Sequence, residues 1–167
     1  MTTQLLDTHI TESQRLVMEV FRSVRGDLLE VFGKIEYTRK DDFSPVTEWD
    51  VAVENRLQAA LAESFPEFGF QGEETGHTGD TETYWLVDPI DGTSSFIRGL
   101  AYSTNMAALV HKGVVVASVI YDFVHDAMYT ALKDGGAFKD GQPIQVNTTR
   151  RSGDLLLYVM TRKQFPL

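Results

Sequence analysis

The chain contains no cysteine, so neither disulfide bonds nor thiol chemistry can contribute to its structure or function. We expect no signal peptide, because no charged segment leads into an apolar one, and no apolar run approaches the ~20 residues of a membrane span. Positive charge is scarce: 15 Lys and Arg residues stand against 24 Asp and Glu residues, a formal net charge of −9. A nucleic-acid-binding surface needs a basic stripe, so we expect no nucleic-acid partner. These absences favour a soluble, cytoplasmic protein without membrane association.

The 167 residues, of which 43% are hydrophobic, are enough for a single domain with a substantial core. Apolar side chains recur at three- and four-residue steps over residues 10–32 and predict a long amphipathic helix that ends near Gly33. A second helix is predicted to begin at Thr47 as N-cap and to end at residues 65–66. Its apolar face would comprise Val53, Leu57, Ala60 and Leu61.

Strands are indicated by runs of apolar residues or by alternation of apolar and polar residues. They are predicted at residues 35–39, 68–71, 84–87, 103–111, 114–121, 127–132 and 155–159. Short turns rich in glycine and aspartate separate the later strands, which is typical of an antiparallel meander. We therefore expect an α+β fold in which an antiparallel sheet of about five to seven strands carries the two long helices on one face.

Most of the candidate functional residues lie in the segment D-P-I-D-G-T at residues 88–93, which directly follows a predicted buried strand. The proline and glycine predict that the strand stops at Asp88 and that a single turn presents the side chains of both Asp88 and Asp91. Two carboxylates this close repel each other, and a hard divalent cation such as Mg²⁺ relieves the repulsion. The N–H groups of Gly92 and Thr93, at the start of a short helix, can receive a phosphate. The alternative is an ordinary turn, since the same residue types mark turns everywhere.

Three segments together resemble the inositol monophosphatase family of Mg²⁺-dependent, lithium-sensitive phosphatases. They are P-V-T-E-W-D at residues 45–50, G-E-E at residues 72–74 and W-L-V-D-P-I-D-G-T-S-S-F at residues 85–96. The family signature for the last segment reads W-[IV]-[VI]-D-P-[IL]-D-G-T-x-N-F. The departure at residues 94–95, where T-N or K-N is commoner, is expected to change loop hydrogen bonding and to spare the metal ligands. By order and spacing of segments the resemblance extends over about residues 38–146.

The resemblance implies hydrolysis of a small-molecule phosphate monoester by water that two Mg²⁺ ions activate. One ion would bind Glu73, Asp88 and the backbone carbonyl of Ile90, so that Glu73 is both a metal ligand and a catalytic residue. The second ion would share Asp88 and also bind Asp91. A phosphate ester of the inositol-phosphate type is the implied substrate.

The resemblance also implies that Thr93, backed by Asp50, orients the attacking water, while the N–H groups of Gly92 and Thr93 bind phosphate oxygens. From the residues alone, Asp50 is equally explained as an acid that complements a helix N-terminus. The two roles are compatible, because a helix N-terminus can point at an anionic metal site.

Other functions remain open from the sequence. Residues 40–47 and 96–99 also look like the histidinol-phosphate phosphatase members of the family, and nucleotide bisphosphates or fructose 1,6-bisphosphate are further candidate substrates. A non-catalytic metal-binding, phosphate-binding or interaction module is the alternative from another class.

The length of the chain affects how tightly the second metal ion would be bound. Family members continue into a W-D-x-x-A-G segment that nothing here matches, so residues 1–167 are expected to form the N-terminal catalytic portion of the family's αβαβα fold. The chain would be either a fragment or a short form. In both cases we expect a weak second metal site and a tendency to form homodimers or to self-associate.

Overall fold

A computed structural model of the chain describes residues 3–146, in an α+β arrangement of helices and a sheet. The helices are α1 (Thr3–Val31), α2 (Glu48–Ser64) and the short α3 (Thr93–Phe96). None of these helices combines the length and the apolar character that a membrane span requires. The strand predicted at residues 155–159 lies outside the described residues.

The strands form a small ribbon and a main sheet. The ribbon pairs β1 (Thr38–Arg39) with β2 (Pro45–Val46), so the strand predicted at residues 35–39 shrinks to two residues. The main sheet contains β3 (Gly69–Gly72), β4 (Gly76–Thr78), β5 (Thr83–Asp91), β6 (Thr104–His111), β7 (Val114–Asp122), β8 (Ala127–Leu132), β9 (Gly136–Lys139) and β10 (Gln142–Ile144). Their order across the sheet is β10-β9-β8-β7-β6-β5-β3-β4.

The α+β class and the packing of both long helices on the sheet are confirmed. The sheet, however, is mixed and has eight strands among the described residues, because β3 runs parallel to β5. The cause is β4, which forms in a polar stretch where no strand was predicted. It pairs antiparallel with β3 at the sheet edge and reverses the chain, so that β5 starts in the same direction as β3.

The core lies between the two long helices and one face of β5 to β8. Its fully buried side chains include Val17, Phe21 and Leu28 of α1, Val53 and Leu57 of α2, and Trp85, Leu109 and Val119 of the strands. Burial of side chains of this size stabilises the fold by about 1.5–3 kcal/mol each. On the opposite face of the sheet, side chains such as Met106, Ile120 and Tyr129 are only partly buried.

The expectation that β5 stops at Asp88 is wrong. The strand pairs with β6 through Asp88, leaves the ladder for two residues and pairs again at Asp91. This bulge removes Pro89 from the ladder, where its missing N–H would break a hydrogen bond. The Asn105 amide, fully buried on the neighbouring strand β6, donates to the Pro89 carbonyl at 2.6 Å and so stabilises the bulge.

The start of α2 follows the expected capping chemistry. Thr47 is the N-cap, and its hydroxyl oxygen accepts from the Trp49 N–H at 3.2 Å. The hydroxyl and the N–H of Thr47 both donate to Asp50 Oδ2, at 2.6 and 2.7 Å. The helix ends at Phe65, also as expected.

Replacing Thr47 by alanine should lower the free energy of unfolding by about 1–2 kcal/mol, because the cap and a partner of the buried Asp50 carboxylate are both lost. Thr47→Ser keeps the hydroxyl and should retain most of this stability. Urea unfolding of the two variants beside the parent measures the difference. Equal losses in both would show that the methyl group of Thr47, and not its hydroxyl, stabilises the helix start.

Candidate active site

The parallel pairing of β3 with β5 places two of the predicted metal ligands side by side. Gly72, the last residue of β3, lies opposite Val87 of β5, and the Glu73 N–H donates to the Val87 carbonyl at 3.2 Å. Glu73 and Asp88 are the next residues on the two neighbouring strands. The parallel pairing ends at Gly72 and Val87, so both carboxyl groups follow directly at the place where the two strands separate.

Asp88 is partly buried and lies close to other carboxyl groups. Its Oδ1 atom is buried and has no hydrogen-bond partner among the residues that the structure describes. Burial, followed by the negative charges of Glu73 and Asp91, raises the pKa of the Asp88 carboxyl to about 7. A cation bound at this oxygen would satisfy the atom and offset the repulsion.

Lys40 supplies positive charge next to this cluster, although no pattern in the sequence indicates the contact. Its Nζ lies 2.7 Å from Glu73 Oε1 and 2.5 Å from Glu74 Oε1. Burial lowers the pKa of Lys40, but hydrogen bonds and charges from the two glutamates outweigh burial, and the net pKa is raised. No local spacing could have revealed the pairing, because Lys40 lies in the loop before β2 and the glutamates follow β3.

The predicted metal ligands fit a hard cation in charge and donor type. Among residues 3–146, however, no three His, Asp or Glu side chains are already arranged to hold a metal ion. Lys40 engages the Glu73 side chain, and Asp91 is exposed. Binding a cation between Glu73 and Asp88 therefore requires Glu73 to leave Lys40 or to use its second carboxyl oxygen.

Asp50 and Thr93, which the resemblance paired, lie together in the structure. Asp50 is 1% exposed, and its Oδ1 accepts from the Thr93 hydroxyl at 3.3 Å. Burial raises the pKa of Asp50, while hydrogen bonds from Thr47 and Thr93 oppose the rise. One oxygen of Asp50 thus caps α2 and the other meets Thr93, so the geometry suits both roles that the sequence allowed.

The turn after Asp91 depends on Gly92. This residue has φ +78°, and a Cβ atom there would lie 2.4 Å from the Tyr102 carbonyl oxygen, so no larger residue fits without a shift. Gly92 caps α3, the short helix expected here, and the first N–H groups of a helix have no intrahelical acceptor. The Thr93 hydroxyl also lies 3.0 Å from the Ile90 carbonyl oxygen, which keeps a second lone pair for another partner.

Glu54 was not among the predicted site residues, although it is fully buried beside them. Its carboxyl oxygens accept from the N–H groups of Glu74 and Thr75, at 3.0 and 2.7 Å. The sequence did hold a signal. Glu54 falls one helical turn after Asp50, on the apolar face of α2, where an acid is unexpected unless it is hydrogen-bonded.

Comparison with known proteins identifies a matching family and several similar proteins. The model of the inositol monophosphatase family matches residues 3–164. A histidinol-phosphatase from Chlorobaculum parvum is 32% identical over 161 residues, which cover 95% of this chain and 62% of that protein. Inositol monophosphatase 1 from Sus scrofa is 36% identical over 118 residues, 67% of this chain and 42% of that protein. A Nus factor SuhB from Pseudomonas aeruginosa is 34% identical over 133 residues, 77% of this chain and 47% of that protein.

Solved structures show the same fold. The extragenic suppressor protein suhB from Bartonella henselae superposes with a TM-score of 0.76 at 29% identity, covering 82% of this chain and 55% of that chain. An IMPase from Thermotoga maritima gives a TM-score of 0.73 at 27% identity, covering 87% of this chain and 55% of that chain. The chain thus spans about half the length of the relatives it matches.

The raised pKa of Asp88 predicts how stability depends on pH without metal. In the unfolded chain this carboxyl returns to a pKa of about 3.9, so at intermediate pH the folded state holds the proton more tightly. Stability should therefore increase as pH falls from about 8 to about 6 and decrease as pH rises through about 7. Asp88→Asn should lose this contribution and become more stable than the parent at the higher pH. Thermal melting in the presence of a chelator measures both.

Glu12→Gln, which changes an exposed acid on α1, is the control and should follow the parent at each pH. If Asp88→Asn and Glu12→Gln melt alike across this range, Asp88 is not the crowded carboxyl described above.

Proposed function

Because the chain belongs to the inositol monophosphatase family, we propose that it forms the N-terminal catalytic domain of a Mg²⁺-dependent phosphatase acting on small phosphate monoesters. The family relatives named as phosphatases support the reaction class. The observation that carries the proposal is the buried Oδ1 of Asp88, which has no hydrogen-bond partner among the described residues and lies beside Glu73, where the parallel pairing of β3 with β5 ends.

Glu73, Asp88, Asp91 and the Ile90 carbonyl are the residues that would hold Mg²⁺. When bound, the metal supplies Lewis-acid activation of water and offsets the negative charge that develops on the leaving alkoxide. The protein supplies hard oxygen donors for this purpose. The bulge in β5 lies between Asp88 and Asp91, and the charge of Asp91 acts on the Asp88 carboxyl.

Thr93 is proposed to orient the attacking water. When its hydroxyl donates to Asp50, the lone pairs of the Thr93 oxygen are available to accept a hydrogen bond from that water. The buried Asp50 is itself held by Thr47, so this acceptor keeps a fixed position beside the Thr93 hydroxyl. The backbone N–H groups of Gly92 and Thr93 would receive the phosphate oxygens.

An inositol-phosphate-type ester is the proposed substrate, with histidinol phosphate as the second candidate. The second candidate is supported by the histidinol-phosphatase that aligns over 95% of this chain. Phosphate release measured with both esters, a nucleotide bisphosphate and fructose 1,6-bisphosphate would distinguish them.

An interaction module without catalysis is the competing proposal. Its support is the relative named as a Nus factor, together with the partly exposed apolar residues on the outer face of the sheet, among them Leu86, Ile120, Tyr129 and Ile144. An apolar face of this kind favours homodimers, self-association or a protein partner. A cytoplasmic location stays a prediction.

Glu73→Gln, Asp88→Asn and Asp91→Asn should each weaken Mg²⁺ binding by more than about tenfold, because each removes a charged oxygen donor from the site. Titration calorimetry measures the affinity, and circular dichroism checks that each variant folds. Glu12→Gln should bind as the parent does. Folded variants with the affinity of the parent would mean that the D-P-I-D-G turn is structural only.

The proposed second metal site predicts a difference between this chain and a version extended by the C-terminal half of a family member. The 167-residue chain should bind one Mg²⁺ more tightly than a second and release phosphate on the order of a hundredfold more slowly. The reason is that the aspartate of the W-D-x-x-A-G segment, which the resemblance assigns to the second ion, is supplied only by the extension. Metal titration and phosphate-release kinetics on both proteins test this. Equal turnover and two equally tight metals in the short chain would show that its site is already complete.

A further inference from the structure

Glu54 is the one fully buried acid that the proposed function does not use, within the part of the chain that the structure describes. An acceptor-only carboxylate without solvent needs hydrogen-bond donors, since burying it unsatisfied is costly. The donors are backbone N–H groups: Glu74 donates to Oε2 at 3.0 Å and Thr75 donates to Oε1 at 2.7 Å. The side chain of α2 therefore binds the main chain of the turn that follows β3.

The same carboxylate also contacts the residue before Glu73. A Cβ atom added at Gly72 would lie 2.0 Å from Glu54 Oε1, so the carboxylate rests directly on the Gly72 backbone. Glu73 itself is tied to β5 through its N–H, which donates to Val87. The backbone is thus held at the residue before Glu73, at Glu73 and at the two residues after it.

The Glu73 side chain, in contrast, has a different partner from the backbone of the turn. Its carboxyl group meets Lys40 at 2.7 Å and is 45% exposed, whereas Glu54 is 0% exposed. Glu54 therefore acts on Glu73 only through the backbone of the turn and is not itself placed to bind a metal ion.

We propose that Glu54 is a positioning residue, whose buried carboxylate holds the turn at residues 73–75 so that Glu73 meets the metal ion beside Asp88. This inference rests on the proposed Mg²⁺ site. Partners that orient a metal ligand commonly change metal affinity by 10- to 100-fold when they are removed, because a ligand displaced by a fraction of an ångström binds poorly.

Glu54→Gln tests the proposal, because it keeps the size of the side chain and replaces one of the two acceptor oxygens by a donor. In the metal-free protein, the Glu74 and Thr75 amides should exchange with deuterium faster than in the parent. In calorimetry, the Kd for Mg²⁺ should rise by roughly 10- to 100-fold. The first measurement does not depend on metal or on activity.

Two controls separate positioning from general loss of charge or stability. Glu63→Gln removes an exposed acid from the same helix and should leave both the amide exchange and the Kd unchanged. Val17→Ala destabilises the core at α1 and should lower the melting temperature without changing the Kd. If Glu54→Gln does not fold, Gly72→Ala replaces it, since the added methyl displaces the carboxylate while Glu54 is kept.

The outcomes are distinguishable from those of the proposed function. Titration of the parent comes first, and a parent that binds no Mg²⁺ overturns the proposed site together with any role of Glu54 towards a metal. A parent that binds, with a Glu54→Gln variant of the same affinity, overturns only the positioning role. A weaker Kd with unchanged exchange at Glu74 and Thr75 also overturns it, because the carboxylate would then act by another route.

Discussion

The parallel register of β3 against β5, with Gly72 opposite Val87, is the constraint on which the candidate site depends. It makes Glu73 and Asp88 the next residues on neighbouring strands, so their proximity follows from sheet geometry and not from a flexible loop. The arrangement is electrostatically unfavourable, since it drives two carboxyl groups together in a partly buried place. A fold that maintains such a contact is strained unless something positive or a proton occupies it.

The structure relieves this repulsion in two ways. Lys40 bridges Glu73 and Glu74, and the pKa of Asp88 rises to about 7, so that near neutral pH this carboxyl is partly protonated. Both devices are what a metal-binding site would use when no metal is bound, since a divalent cation would replace the proton and compete with the lysine for Glu73. The way the chain neutralises these acids therefore supports the proposal that they form a cation site.

Local chemistry could be predicted from the sequence, and long-range pairing could not. The N-cap Thr47, the short helix opened by Gly92 and the α+β class all follow from residue types at fixed spacings, and the structure confirms them. The parallel strand pair was missed because it depends on β4, three residues in a polar stretch whose pairing partner gives no local pattern. Lys40 was missed for the same reason. Glu54 could have been found, because an acid on the apolar face of a helix requires a buried partner. The roles assigned to the site residues stay predictions.

Helix α2 reaches both acid-bearing turns from positions one helical turn apart: Asp50 meets Thr93, and Glu54 meets the amides after Glu73. The two contacts begin about 6 Å apart along a single rigid element. Because both side chains belong to the same helix, the positions of the two turns are linked through α2. A shift of α2 would therefore act on both turns together and not on one of them alone.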